Sequence, residues 1–136
     1  MTPLSTNVFF YGLFMDAAVL EAKGIRNVEG QIAVVRDWAL RIGLRATLVP
    51  EPGRAVHGVL LSLPLPEIDR LYAEASLQLY RPVAVLGEVQ GTTVPALAYV
   101  LPEPPAPEER NPEYASTLRA LAERLRLPVE YTRSIA

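Results

Sequence analysis

The chain predicts an α+β fold in one domain, residues 1–136, with antiparallel strands and helices packed beside them. Three observations carry that prediction. Residues 31–42, 46–49, 56–63, 79–86 and 93–101 are rich in Val, Ile, Leu, Thr and aromatic residues, and turn-forming Gly and Pro residues separate them, as expected of successive strands. Residues 16–24, 67–74 and 112–127 instead carry helical apolar spacing with start and stop signals. Half of the 136 residues are hydrophobic, which suffices for one core of ordinary size without a second domain.

Taken in order, Val8-Phe9-Phe10-Tyr11 suits a short buried strand and closes on Gly12-Leu13-Phe14-Met15. Asp16 as N-cap and Gly24 as stop delimit the following helix, so Gly12 stands at a strand-to-helix corner. Glycine there permits a sharp turn and close approach to the peptide, and the free N–H groups beyond it favour an anion or a carbonyl oxygen. A simple turn is the plainer alternative. Pro50-Glu51-Pro52-Gly53 reads as a turn dividing 46–49 from the strand at 56–63. In 67–74, Pro66 suits the first helical position, Ile68, Leu71 and Tyr72 share one face, and Glu74 falls near the helix end. The runs at 79–86 and 93–101 pair as a hairpin across 87–92, with Pro82 and Pro95 at edges or bulges. Residues 102–112, PEPPAPEERNP, exclude a ladder or helix interior and form an extended strap. Asn111 and Pro112 open the last helix, whose apolar stripe is Leu118, Leu121, Ala122 and Leu125. Its solvated face is Arg119, Glu123, Arg124 and Arg126.

Composition removes several chemistries. A net charge of -2 with a single lysine, Lys23, and no Lys/Arg run argues against nucleic acid and against an anionic membrane as partner. No basic-then-apolar leader and no apolar stretch of roughly 20 residues occurs, which points to the cytoplasm. Without Cys there is no thiol nucleophile or thiolate metal site, and His57 as the one histidine rules out a His-rich metal centre. Its alternating strand makes it a structural or surface residue. Neither Gly-x-Gly-x-x-Gly nor a phosphate loop is present, so no nucleotide cofactor has a seat. Carboxylate chemistry remains, and Glu74 stands apart. At a helix C-terminus the macrodipole disfavours added negative charge, which raises a carboxyl pKa and suits it to general acid and base work. A solvated helix-end glutamate is the alternative.

The same residues resemble a family. The run 9–15 is similar to the Tyr-Gly-Ser/Thr-Asn/Leu opening of the gamma-glutamylcyclotransferase-like superfamily, with Leu13 where the family has Ser or Thr. Val56-His57-Gly58-Val59-Leu60 resembles its apolar-x-Gly-x-apolar strand, and Ile68-Asp69 followed by Glu74 resembles its Leu-Asp helix with the acid/base glutamate. Four residues separate Asp69 from Glu74, against two in the family's Leu-Asp-x-x-Glu. Tyr80-Arg81-x-Val83, Ala96-x-x-Tyr99-Val100, Tyr114 and Leu127-Pro128-x-x-Tyr131 follow in the family's order.

The resemblance implies a small antiparallel β-barrel with flanking helices, a pocket at its mouth, and no metal or cofactor. It implies a small γ-glutamyl compound as partner, converted to 5-oxoproline and a free amine. Glu74 is then the catalytic proton carrier, and Tyr11, Gly12, Leu13, Phe14, Tyr80, Tyr99 and Tyr114 bind substrate. Two other readings stay open: a noncatalytic binder of a small acidic metabolite, and an interaction protein that keeps only the fold. Nothing in the sequence specifies an oligomeric state.

Overall fold

Five strands close a barrel in the computed structural model, which describes residues 5–25 and 29–136. They are β1 (Ser5–Phe10), β2 (Gln31–Ile42), β3 (Ala46–Pro64), β4 (Arg81–Val89) and β5 (Thr92–Val100), in the spatial order β1-β3-β2-β4-β5. Every ladder is antiparallel except the seam, where β1 meets β5 in parallel at Val8 and Leu97. Four helices flank the barrel: α1 (Ala17–Ala22), α2 (Leu65–Leu71), α3 (Pro112–Arg124) and α4 (Val129–Ser134). Two 3-10 turns, Leu13–Met15 and Ala75–Leu77, complete the order. No helix among the described residues is long and apolar enough to cross a membrane.

Consecutive residues of a strand point to opposite faces, so burial of Val8, Phe9 and Phe10 at 0–2% exposure means both faces of β1 are covered. Each such side chain contributes roughly 1.5–3 kcal/mol by leaving water. Gly58 on β3 makes the approach possible. A Cβ there would lie 2.3 Å from the Phe10 carbonyl oxygen and 2.9 Å from the Phe9 ring, so any larger residue forces the two strands apart.

The caps form where the sequence places them. Asp16 accepts from the Ala18 N–H at 2.9 Å, Ile25 N–H returns to the Leu20 carbonyl at 3.0 Å beyond Gly24, and Asn111 accepts from the Tyr114 N–H at 3.1 Å.

Four expectations are corrected. The Pro50–Gly53 segment does not end a strand, because β3 runs unbroken from Ala46 to Pro64. The ladder passes from Arg36↔Ala55 to Trp38↔Pro50, so 51–54 bulge out opposite Asp37 alone. Asp37, at φ 67°, accepts from the Gly53 N–H at 3.0 Å, which uses the turn chemistry inside the strand. The hairpin loop is shorter than 87–92: only Gln90 and Gly91, at φ 50° and 82°, separate β4 from β5, a two-residue turn whose twist matches the strands.

The helix expected to carry Glu74 stops at Leu71, and Tyr72 caps it. Glu74 is instead the N-cap residue of the second 3-10 turn, so its carboxylate stands at the start of a turn and not at a helix C-terminus. Arg119 is not on a solvated face. It is half-buried and donates to the Ile135 carbonyl, satisfying the end of α4, an element the sequence reading did not resolve. Arg124 of the same face does reach outward, to Asp16 at 3.5 Å.

Candidate functional site

In this topology β1, β2 and β5 finish at the barrel end where β3 and β4 begin. That end therefore gathers Phe10 and Tyr11 after β1, Leu44 and Arg45 after β2, Ala46 at the start of β3, Tyr80 before β4 and Tyr99 near the end of β5. These residues line a cavity of about 390 Å³, within the range of small-molecule sites. The Gly12-to-Phe14 turn, the Tyr72-to-Leu77 connection and Tyr114 of α3 close its sides. All eight residues singled out in the sequence, Tyr11, Gly12, Leu13, Phe14, Glu74, Tyr80, Tyr99 and Tyr114, border this one space.

The tyrosines divide by what their hydroxyls do. Tyr11 donates to the Tyr99 carbonyl at 2.6 Å and Tyr80 to the Ala46 carbonyl at 2.5 Å, so both are committed to the wall. Tyr114 lies over the strand-to-helix corner. A Cβ at Gly12 would sit 2.6 Å from its hydroxyl, so any larger residue there has to displace the end of the Tyr114 side chain. Burial pushes Tyr114 up to about 12, its neighbour Tyr80 adds to this, and the Leu13 N–H facing the hydroxyl works the other way. Burial likewise raises Tyr11, Tyr72, Tyr80 and Tyr99. Every phenol around the cavity thus keeps its proton at neutral pH.

Glu74 is the one carboxylate among the residues lining the cavity, and it binds the Lys23 ammonium at the mouth. Its side chain is 47% exposed, and ion pairs of that exposure contribute about 0–1 kcal/mol. The pair is weak enough for a ligand to exchange. Among the described residues no group of three or more His, Cys, Asp or Glu is placed to hold a metal ion.

Of the lining residues that were not singled out, three bear on the chemistry. Tyr72, read only as part of a helix face, stacks on Tyr99 at 4.0 Å and 11° and meets Phe14 edge-on at 5.9 Å. It is the third residue after Asp69, where the Leu-Asp-x-x-Glu spacing has its glutamate. That coincidence was the available signal. Lys23 and Arg45 come from a helix end and an inter-strand turn, where neither periodicity nor motif marks a residue. His57 is remote from the cavity: its ring packs on Tyr131 at 4.9 Å, and burial, with Arg36 nearby, lowers its pKa.

Comparison with known structures returns the same architecture. A solved structure described as a gamma-glutamyl cyclotransferase superposes with a TM-score of 0.79 at 20% identity, covering 96% of this chain and 86% of that one. An uncharacterised protein from Homo sapiens gives 0.80 at 19% identity, with the same coverage. YkqA from Bacillus subtilis gives 0.78 at 25% identity over 95% of this chain but 52% of its own. No curated protein sequence matches. The sequence model of the family described as gamma-glutamyl cyclotransferase, AIG2-like, matches residues 8–118. With that match spanning most of the barrel and reaching into α3, the chain belongs to the gamma-glutamyl cyclotransferase, AIG2-like family.

Proposed function

We propose that the cavity binds a γ-glutamyl amine or amino acid and closes its glutamyl unit to 5-oxoproline, releasing the amine. Family membership supports the reaction type. The single observation that carries it to these residues is that the aromatic cavity contains one carboxylate, Glu74. In the reaction the α-amine forms a bond to the γ-carbonyl carbon and the bond from that carbon to the leaving nitrogen breaks. One proton passes from the attacking to the leaving nitrogen, so the atoms balance with no further reagent. Because the attack is intramolecular, holding a folded conformer and moving that proton is most of the work.

The substrate α-ammonium displaces Lys23 from Glu74, which takes one of its protons to free the amine and passes it to the leaving nitrogen as the C–N bond breaks. Glu74 then takes the second proton from the ring nitrogen and is restored when that proton departs on the released amine as its ammonium. Tyr114 faces the Leu13 N–H and has its own proton to donate, and with the backbone of Gly12 to Phe14 it holds the carbonyl oxygen as charge develops there. Tyr72 and Tyr99 supply a flat wall against the forming ring.

A second reading is a binder of a small acidic metabolite that does no chemistry. Two observations favour it: Lys23 occupies Glu74, and Tyr72 fills the position the family spacing assigns to glutamate. Incubation with a panel of γ-glutamyl amino acids and γ-glutamyl amines, with 5-oxoproline read by mass spectrometry, separates the two. Release of 5-oxoproline above the spontaneous rate is expected. No release from any member, with the protein still stabilised by 5-oxoproline, leaves the binder.

A further inference from the structure

We propose that Arg45 is the carboxylate receptor of the cavity and, in the reaction proposed above on which this assignment rests, takes the α-carboxylate of the glutamyl unit.

Among the described residues the cavity has three charged side chains in its lining, Lys23, Arg45 and Glu74. Lys23 and Glu74 neutralise each other. Arg45 takes part in none of the four ion pairs among the described residues, and its side chain makes no hydrogen bond to another described residue at the cavity, although it is only partly exposed. Its charge is close enough to Tyr80 to oppose the rise that burial causes there, which places the guanidinium beside the cavity wall. A half-buried guanidinium with free donors against an aromatic surface suits a ligand carboxylate, which it can grip through two parallel N–H···O bonds.

The backbone that carries Arg45 is held from outside. The strap covers the 43–45 corner: Glu109 accepts from the Leu44 N–H at 3.3 Å, Asn111 donates to the Leu44 carbonyl at 3.1 Å, and Gly43 donates to the Arg45 carbonyl at 3.0 Å. A Cβ at Gly43 would meet Pro105 at 2.4 Å. Asn111 also caps α3 through the Tyr114 N–H, so one strap residue ties the Arg45 corner to the helix bearing Tyr114. Fixing both before a ligand arrives lowers the ordering cost of binding. A zwitterionic glutamyl head then has a seat for each charge, the ammonium at Glu74 and the carboxylate at Arg45.

The test uses titration calorimetry of the full chain with 5-oxoproline, with 2-pyrrolidinone, which is the same ring without the carboxylate, and with glutarate. The proteins are the wild type, Arg45→Gln and Arg45→Lys, each checked for an unchanged melting temperature. The wild type is expected to bind 5-oxoproline about tenfold or more tightly than 2-pyrrolidinone, a margin typical of charge-assisted hydrogen bonds. Arg45→Gln should erase the margin and Arg45→Lys restore part of it. A full margin in Arg45→Gln, or a wild type that binds no carboxylate, overturns the assignment. If Arg45→Gln turns over γ-glutamyl compounds with unchanged KM, the assignment fails while the cyclotransferase reading stands. If glutarate binds through Arg45 but no γ-glutamyl compound yields 5-oxoproline, Arg45 is supported and the cyclotransferase reading fails.

Discussion

The two C-terminal helices each bring a tyrosine onto the barrel, and the two meet different surroundings. Tyr114 of α3 borders the 390 Å³ cavity with Arg45 and Glu74. Tyr131 of α4 lies against β2 and β3 beside a space of about 40 Å³, its ring on His57 and its buried hydroxyl facing the His57 N–H without a hydrogen bond of ordinary geometry among the described residues. Burial raises the pKa of both. Burial and a shifted pKa therefore do not separate a ligand site from packing here. Room for a ligand and the charges that share it do.

The largest effect belongs to Glu74, the carboxylate of the larger cavity. Glu74→Gln keeps shape and hydrogen-bonding capacity but removes the proton acceptor. Release of 5-oxoproline should fall by about two to four orders of magnitude with binding largely kept. Normal turnover by this variant would force withdrawal of the mechanism.

Alkaline pH should next damage both regions together. All six tyrosines have raised pKa values in the folded chain. The unfolded chain, with phenols near pH 10, loses its protons first as pH rises, so this stabilisation is whole below pH 10 and is lost as pH climbs through the folded values. For Tyr114 the window runs from 10.0 to about 12, a difference worth roughly 2–3 kcal/mol. Tyrosinate absorbance and far-UV dichroism should change together above pH 10. Tyrosines that titrate near pH 10 in a chain with native dichroism would contradict this.

How much of this was legible follows from where each signal resides. The strands, the caps at Asp16 and Asn111 and the stop at Gly24 are set by local chemistry, and they appear where composition and period place them. Pro50–Gly53 misled because turn residues serve a bulge as well as a strand boundary, and what decides is Asp37 on the neighbouring strand, distant in sequence. Apolar spacing persists through Tyr72 and extends the expected helix to Glu74, but Tyr72 turns onto Tyr99 and the helix ends there. Arg45 had no local mark at all. Its place depends on barrel closure and on a strap about 60 residues further along, from which Glu109 and Asn111 reach Leu44 across separations of 65 and 67 residues.

Crowding at Gly12 sharpens the contrast from the cavity side. Gly12→Ala puts a methyl group 2.6 Å from the Tyr114 hydroxyl, and overpacking of this kind costs about 1–3 kcal/mol. The melting temperature and the affinity for 5-oxoproline should both fall. Adding Tyr114→Phe removes the clashing oxygen and should recover part of the stability, whereas adding Tyr131→Phe should not. Equal recovery from both, or none from either, would mean that the strain lies elsewhere.

The smallest effect tests the comparison most directly, because it makes the same change at both tyrosines. Tyr114→Phe deletes a hydroxyl that faces the cavity and makes no hydrogen bond to a protein acceptor among the described residues. Affinity for 5-oxoproline should drop by about 2- to 12-fold, the range of one hydrogen bond, with the melting temperature little changed. Tyr131→Phe deletes a buried hydroxyl that faces the His57 N–H without a hydrogen bond of ordinary geometry. Affinity should hold, and stability should change by less than about 1 kcal/mol, because the relief of burying a poorly satisfied hydroxyl and the loss of its contact with the His57 N–H oppose each other. Calorimetry and thermal melting on the two variants separate the roles. Unchanged affinity in Tyr114→Phe would return that residue to packing, and a loss of affinity in Tyr131→Phe would mean that α4 reaches the site through contacts other than the cavity wall.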